Sequence, residues 1–163
     1  MISIDTRYID VSENTRSKVN IENIFKLIVH DAPYPLKSEI ENRNYINSLS
    51  NQDNIFLSYH YIIGQSGKII NIIPENEIAI HTKLLEYDMH SISIALCYNS
   101  NMEITNSTLN SLTYLSNNIL KKYILDTKFD FIRCYDVLNK REPICFVDNY
   151  YLFYNFKENL SKN

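Results

Sequence analysis

Apolar and polar positions along this chain fall into short blocks whose periods differ. FKLIVH, Phe25 to His30, is a compact apolar run bounded by polar residues and then by Pro33 and Pro35. Its length and β-forming content predict a buried central strand that ends at a histidine. SYHYIIGQSGKIINIIP, Ser58 to Pro74, places two β-rich runs on either side of Gly64-Gln65-Ser66-Gly67, and Pro74 ends the second. That arrangement predicts a hairpin. SISIALCY, Ser91 to Tyr98, and the segment Phe129 to Arg133 predict two further strands. Leu109, Leu112, Leu115, Ile119 and Tyr123 recur at helical spacing and form the apolar stripe of an amphipathic helix. Ser38 followed by Glu41 is a capping-box signature, predicting a helix that runs to about Leu49. Tyr151, Leu152, Phe153 and Phe156 predict a terminal helix, and residues 1–22 read as a polar peripheral arm with one short strand near Ile2 and Ile4. Strands and helices alternate with one hairpin inserted. The fold class is therefore α/β, a single mixed β-sheet flanked by helices.

Composition narrows the class without naming a chemistry. The chain has 163 residues, 45% hydrophobic and 21% charged, the profile of one globular domain and not of a disordered segment. Asn and Ile together make up roughly a quarter of it, above average usage. A net charge of −3 argues against a phosphate-backbone partner, so no nucleic acid is expected. No apolar run approaches the ~20 residues of a membrane helix. The N-terminus MISIDTRYID carries an early Asp and no apolar core, so no secretory signal is expected and the location is cytoplasmic. Cys97, Cys134 and Cys145 are odd in number and form no CxxC pair, which points to a reducing compartment.

Two places could carry chemistry. His30 closes a buried strand, and strand ends are where α/β proteins build sites. RCYDVLNKREP, Arg133 to Pro143, gathers a thiol, two carboxylates and an ammonium (Cys134, Asp136, Glu142 and Lys140) into one turn-like segment. Cys134 and Glu142 are both admissible zinc ligands, although surface loops carry such residues by default. For His60 the structural reading leads, and Asp136 reads as a local turn or supporting acceptor.

The order of motifs resembles the zinc-dependent N-acetylmuramoyl-L-alanine amidases, the family that includes phage endolysins and peptidoglycan recognition proteins. The nearest likeness is to clostridial phage endolysin catalytic domains. The resemblance rests on IVH at 28–30, ENRNYINSL at 41–49, SYHYIIGQSGKII at 58–70, IPENEIAIHT at 73–82, SISIALC at 91–97, RCYDV at 133–137 and FVDN at 146–149. It implies an amidase or peptidoglycan-recognition fold over a single domain, 1–163; endolysins of this group usually carry a separate wall-binding domain as well, and none is expected in this chain. It also implies a zinc site whose three ligand positions map onto His30, Cys134 and Glu142. Tyr59 and Lys140 map onto the family's catalytic Tyr and Lys, and His81 is read as lining the substrate groove.

Three positions depart from the family pattern. Cys134 stands where RHYDV has its His, Glu142-Pro143 stands for Cys-Pro, and Ala95 replaces the Glu of SIGIE-like patterns. Two anionic donors with one imidazole make the centre formally neutral, a weaker Lewis acid than a site with one anionic donor. Cys134 also reaches less far than His, and Glu142 further than Cys, which predicts misplaced donors. The expectation is an endolysin-like peptidoglycan amidase domain with a degraded zinc site, zinc weak or absent, and impaired or lost catalysis. It would act by binding peptidoglycan, reached only through lysis or holin-type release. One alternative is an active zinc amidase cleaving the MurNAc–L-Ala amide with a His/Cys/Glu site. Another is a scaffold reused to bind a protein partner through the Tyr-rich stretch Tyr150 to Tyr154.

Overall fold

The computed structural model describes residues 2–160. Its centre is a six-stranded sheet in the order β1-β4-β3-β5-β2-β6. The strands are β1 (Ile4–Thr6), β2 (Lys26–Asp31), β3 (Tyr61–Ile63), β4 (Ile69–Asn71), β5 (Ser91–Leu96) and β6 (Phe131–Arg133). All neighbours run parallel except β3 and β4, the expected hairpin. The mixed sheet is as read from the sequence. Helices α1 (Glu39–Ser48), α3 (Asn106–Tyr123) and α6 (Tyr150–Leu160) fall where the capping box and the apolar positions put them. α2 (Leu85–Asp88), α4 (Cys134–Leu138) and α5 (Ile144–Val147) are single turns too short to leave a period in the sequence.

Period-two alternation splits the sheet into two unlike faces. Leu27, Val29, Ile92, Ile94 and Leu96 face α3 and α6, packing with Leu112, Leu115, Ile119, Phe153 and Phe156. Ile62, Ile70, Ala95 and Cys97 face the other way, toward Ile46 of α1 and Ile9. On this second face β5 and the residue after it carry only small side chains, Ser91, Ser93, Ala95 and Cys97. That leaves room for histidine rings beside a sheet that is otherwise bulky. α1 starts as expected, with the Ser38 hydroxyl accepting from Glu41 N and the Glu41 carboxylate from Ser38 N.

Two details correct the sequence reading. The segment after β6 is not a turn but the helix α4, closed by Asn139 in the left-handed conformation at φ 54°. The N-terminal arm is docked and not peripheral. Arg7 and Ile9 N–H groups donate to Asn71 and Ile72 carbonyls, Ile9 is buried, and Arg16 makes a two-pronged ion pair with Glu77 at 2.7 and 2.9 Å.

Candidate metal centre

β2 lies between β5 and β6 and delivers His30 at its C-terminal end, on the face opposite Leu27 and Val29. Arg133 of β6 pairs in register with Val29, so Cys134, the next residue, opens α4 beside His30. Past α4 the left-handed Asn139 reverses the chain. Tyr135 N then donates to Glu142 O at 2.8 Å, folding residues 139–142 back over the helix start. Asp31 anchors the start of α5: its carboxylate accepts from Ile144 N at 3.2 and 3.1 Å and from the Tyr98 hydroxyl. Burial raises the Asp31 carboxyl to about 6.

The result is convergence. The ligand-type atoms of His30, Cys134 and Glu142 all lie within 4.8 Å of one another. His30 Nδ1 stands 3.8 Å from Glu142 Oε2 and is a buried nitrogen without a hydrogen-bond partner. The opposed reach of Cys134 and Glu142 does not keep their donor atoms apart, because the returning loop carries the longer side chain. His30 and Cys134 are buried, and the side chains of Glu142 and Lys140 are 17% and 63% exposed, so the cluster opens to solvent on the side of the loop. Lys140 Nζ holds Glu142 Oε1 at 2.6 Å, leaving Oε2 to face His30.

Electrostatics sort the roles. Burial lowers the His30 pKa, so the ring is neutral at pH 7. Burial would raise the Glu142 carboxyl, but the adjacent His30 and Lys140 groups outweigh it and hold it at about 2. The Cys134 thiol is pushed up to about 12, by burial first and by the Glu142 charge second. An imidazole nitrogen, a thiol sulfur and a carboxylate oxygen around one buried unpartnered lone pair fit a zinc ion held by three protein ligands with a fourth position open.

Tyr59 sits edge-on to His30, ring centroids 5.2 Å apart, and is buried. Burial first, and the Glu142 charge after it, keep its phenol protonated. His81 is not in a groove. Its ring is fully buried behind His30, with His30 Nε2 and His81 Nδ1 2.9 Å apart. His60 is structural, its ring bridging the Ser93 hydroxyl and the Glu77 carbonyl. Asp136 turns to Arg133, pairing with its guanidinium at 2.7 Å. Cys145 stands outside the ligand cluster, with its backbone N–H toward the Tyr98 hydroxyl. Asp31 and Ser91 escaped the sequence reading; an acid directly after a strand-end histidine was the available signal for the first. Ala95 pairs in register with His30, so an acidic side chain at position 95 would stand next to that histidine.

Comparison with known proteins gives the same neighbourhood. The profile of the N-acetylmuramoyl-L-alanine amidase family matches residues 21–142. The chain is 25% identical over 163 residues to the N-acetylmuramoyl-L-alanine amidase CwlL of Bacillus licheniformis, covering 91% of this chain and 44% of that protein. It is 23% identical to the amidase BlyA of Bacillus subtilis, covering 92% of this chain and 44% of that protein. The chain thus spans less than half the length of the curated relatives it matches. Among solved structures, a mutant endolysin from Bacillus subtilis superposes with a TM-score of 0.80 at 18% identity, covering 98% of this chain and 99% of the other. The amidase LysC from Clostridium intestinale superposes at 0.68 with 21% identity, covering 99% of each chain. At these identities the structural likeness speaks for the fold.

Proposed function

The chain belongs to the N-acetylmuramoyl-L-alanine amidase family, and from that premise we propose an endolysin-like peptidoglycan amidase domain whose zinc is held by His30, Cys134 and Glu142. The observation that carries this reading is the buried, unpartnered Nδ1 of His30, with the Cys134 sulfur and the Glu142 carboxylate within 4.8 Å of it. Zinc in such a site supplies Lewis-acid polarisation of the scissile amide and activates water for attack. The substrate is the amide between the muramic lactyl group and L-alanine, entering from the Lys140 side.

The chain's own groups do the rest. Tyr59, locked as a phenol, donates a hydrogen bond to the oxygen on which charge develops. Lys140 stays an ammonium, its pKa raised on balance by Glu142 against the opposing effect of burial. It keeps Glu142 in place and adds positive charge at the mouth. Asp31 pins the start of α5 and so the far end of the Glu142 loop.

Catalysis is weakened relative to a centre with one anionic donor. Cys134 and Glu142 together cancel the ion's charge, and the thiol resists deprotonation before metal enters. The second reading, a domain that binds peptidoglycan without turning it over, draws its support from that same raised thiol. Zinc per chain after purification in zinc-replete buffer, with release of L-alanine amino termini from purified walls, decides. Stoichiometric, chelator-sensitive zinc and slow release abolished by His30→Ala establish the first reading. Zinc-free protein that still sediments with sacculi establishes the second.

A further inference from the structure

A histidine that binds a metal through one ring nitrogen must present that nitrogen bare, and the other ring nitrogen of His30 lies in a buried hydrogen-bonded chain. His30 Nε2 faces His81 Nδ1 at 2.9 Å, and His81 Nε2 faces the Ser91 hydroxyl at 2.9 Å. That hydroxyl in turn meets the Tyr87 carbonyl at 2.6 Å. All three side chains are buried. We propose that His81, held by Ser91, is a positioning residue that fixes His30 in its Nε2–H form and so presents Nδ1 to the metal. The proposal rests on the metal-centre reading above and concerns how that centre is prepared.

The direction comes from counting protons. Ser91 has one hydroxyl proton, and the Tyr87 carbonyl can only accept, so that proton is spent there. Ser91 then accepts from His81, which puts the His81 proton on Nε2 and leaves its Nδ1 bare. A bare His81 Nδ1 accepts from His30 Nε2–H, and His30 Nδ1 keeps its lone pair. Two ring nitrogens facing each other at 2.9 Å hold one proton between them, and His30 Nε2–H against a bare His81 Nδ1 meets that requirement. The Asp88 carboxylate, 3.6 Å from His81 Nε2, favours the proton on that nitrogen. Asp88 also accepts from His81 N, Thr82 N and Lys83 N, fixing the loop that carries the ring. The reversed chain would place a proton on His30 Nδ1, where Glu142 Oε2 at 3.8 Å is too distant to accept it. With its ring fully buried, His81 cannot touch a substrate, and it acts through His30 alone.

The test separates this inference from the reading beneath it by using metal-free protein first. A long-range 1H–15N correlation spectrum of the labelled chain at neutral pH reports the proton position on each ring. Both His30 and His81 are expected as Nε2–H. Zinc affinity, measured by competition with a chromophoric chelator, should fall about 10–100-fold in His81→Phe, the usual effect of losing the group that orients a ligand. His81→Asn, whose side-chain oxygen can replace Nδ1 as acceptor, should recover most of that loss. Ser91→Ala leaves the ring in place and should give mixed tautomers of His30 with a smaller loss of affinity, so the test survives a His81→Phe chain that does not fold. His30 found as Nδ1–H, or a tautomer unchanged in Ser91→Ala, overturns the inference. Wild-type protein that takes up no zinc overturns the metal-centre reading, while the spectrum still decides the tautomer.

Discussion

Three contacts determine what His30 can do: His81 behind it, Glu142 in front and Tyr59 across its edge. In the proposed metal centre, the chemistry of the three side chains would set the strength of the Lewis acid. Restoring one imidazole and one thiolate by the double change Cys134→His with Glu142→Cys should raise release of L-alanine amino termini from purified walls about tenfold or more, roughly 1.4 kcal/mol of barrier. Either single change should not, since each leaves one ligand position unlike the family's. A silent double variant would mean that the groove has diverged along with the ligands. His60 makes a separate prediction at the same scale. Burial lowers its pKa from 6.5 to about 4, so the unfolded chain takes a proton that the folded one refuses. Stability is therefore undiminished above pH ~6.5 and falls as pH drops toward ~4, by about 3 kcal/mol from this residue. His30 and His81 shift the same way and steepen the fall. Denaturant titrations across that window should show a flatter profile for His60→Gln than for the wild type. At this scale alignment with family positions pointed to His30, Cys134 and Glu142, which the structure brings within 4.8 Å of one another. It did not point to Ser91 and Asp31, because a serine opening a strand and an acid closing one are ordinary until their partners are known.

Among the elements, the β3–β4 hairpin shows local chemistry and tertiary contact agreeing. Its turn accepts hydrogen bonds from the first turns of α3 and its cap: Thr105 Oγ1 to Gln65 O at 2.7 Å, Thr108 Oγ1 to Gly64 O at 3.0 Å and Ser111 Oγ to Gly67 O at 2.5 Å. Gly67 adopts φ +83°, and a Cβ there would stand 2.7 Å from the Ser107 carbonyl oxygen. Gly67→Ala should destabilise the chain by about 1–3 kcal/mol, combining backbone strain with a clash against a helix backbone. A lowered midpoint in thermal unfolding measures it. The Gly-Gln-Ser-Gly turn and the helix stripe were both legible, since turn chemistry and period are local. The single-turn helices were not. α4 forms because its residues follow β6 directly and reverse at Asn139, a consequence of position more than of propensity.

Over the whole molecule, the sheet separates an aliphatic and aromatic core under α3 and α6 from a second core that shares its face with three buried histidines. The N-terminal arm closes over the second core through Arg16 and Glu77, whose side chains are 12% and 11% exposed. Arg16→Ala leaves a mostly buried carboxylate without its partner and should cost about 2–4 kcal/mol. Amide exchange at Arg7 and Ile9 should quicken, while β2 and β5 keep their protection. No helix among the described residues is long and apolar enough to cross a membrane. The sequence by itself determined the order of the strands and the longer helices and the hairpin, because hydrophobic period and turn residues are properties of neighbouring residues. Only the tertiary structure decided that His81 stands behind His30, that the Ser91 hydroxyl meets the His81 ring and that Glu142 lies beside Cys134. Residues 30, 81, 91, 134 and 142 meet through parallel strand crossovers and one reversed loop, and no local pattern encodes the distances those connections produce.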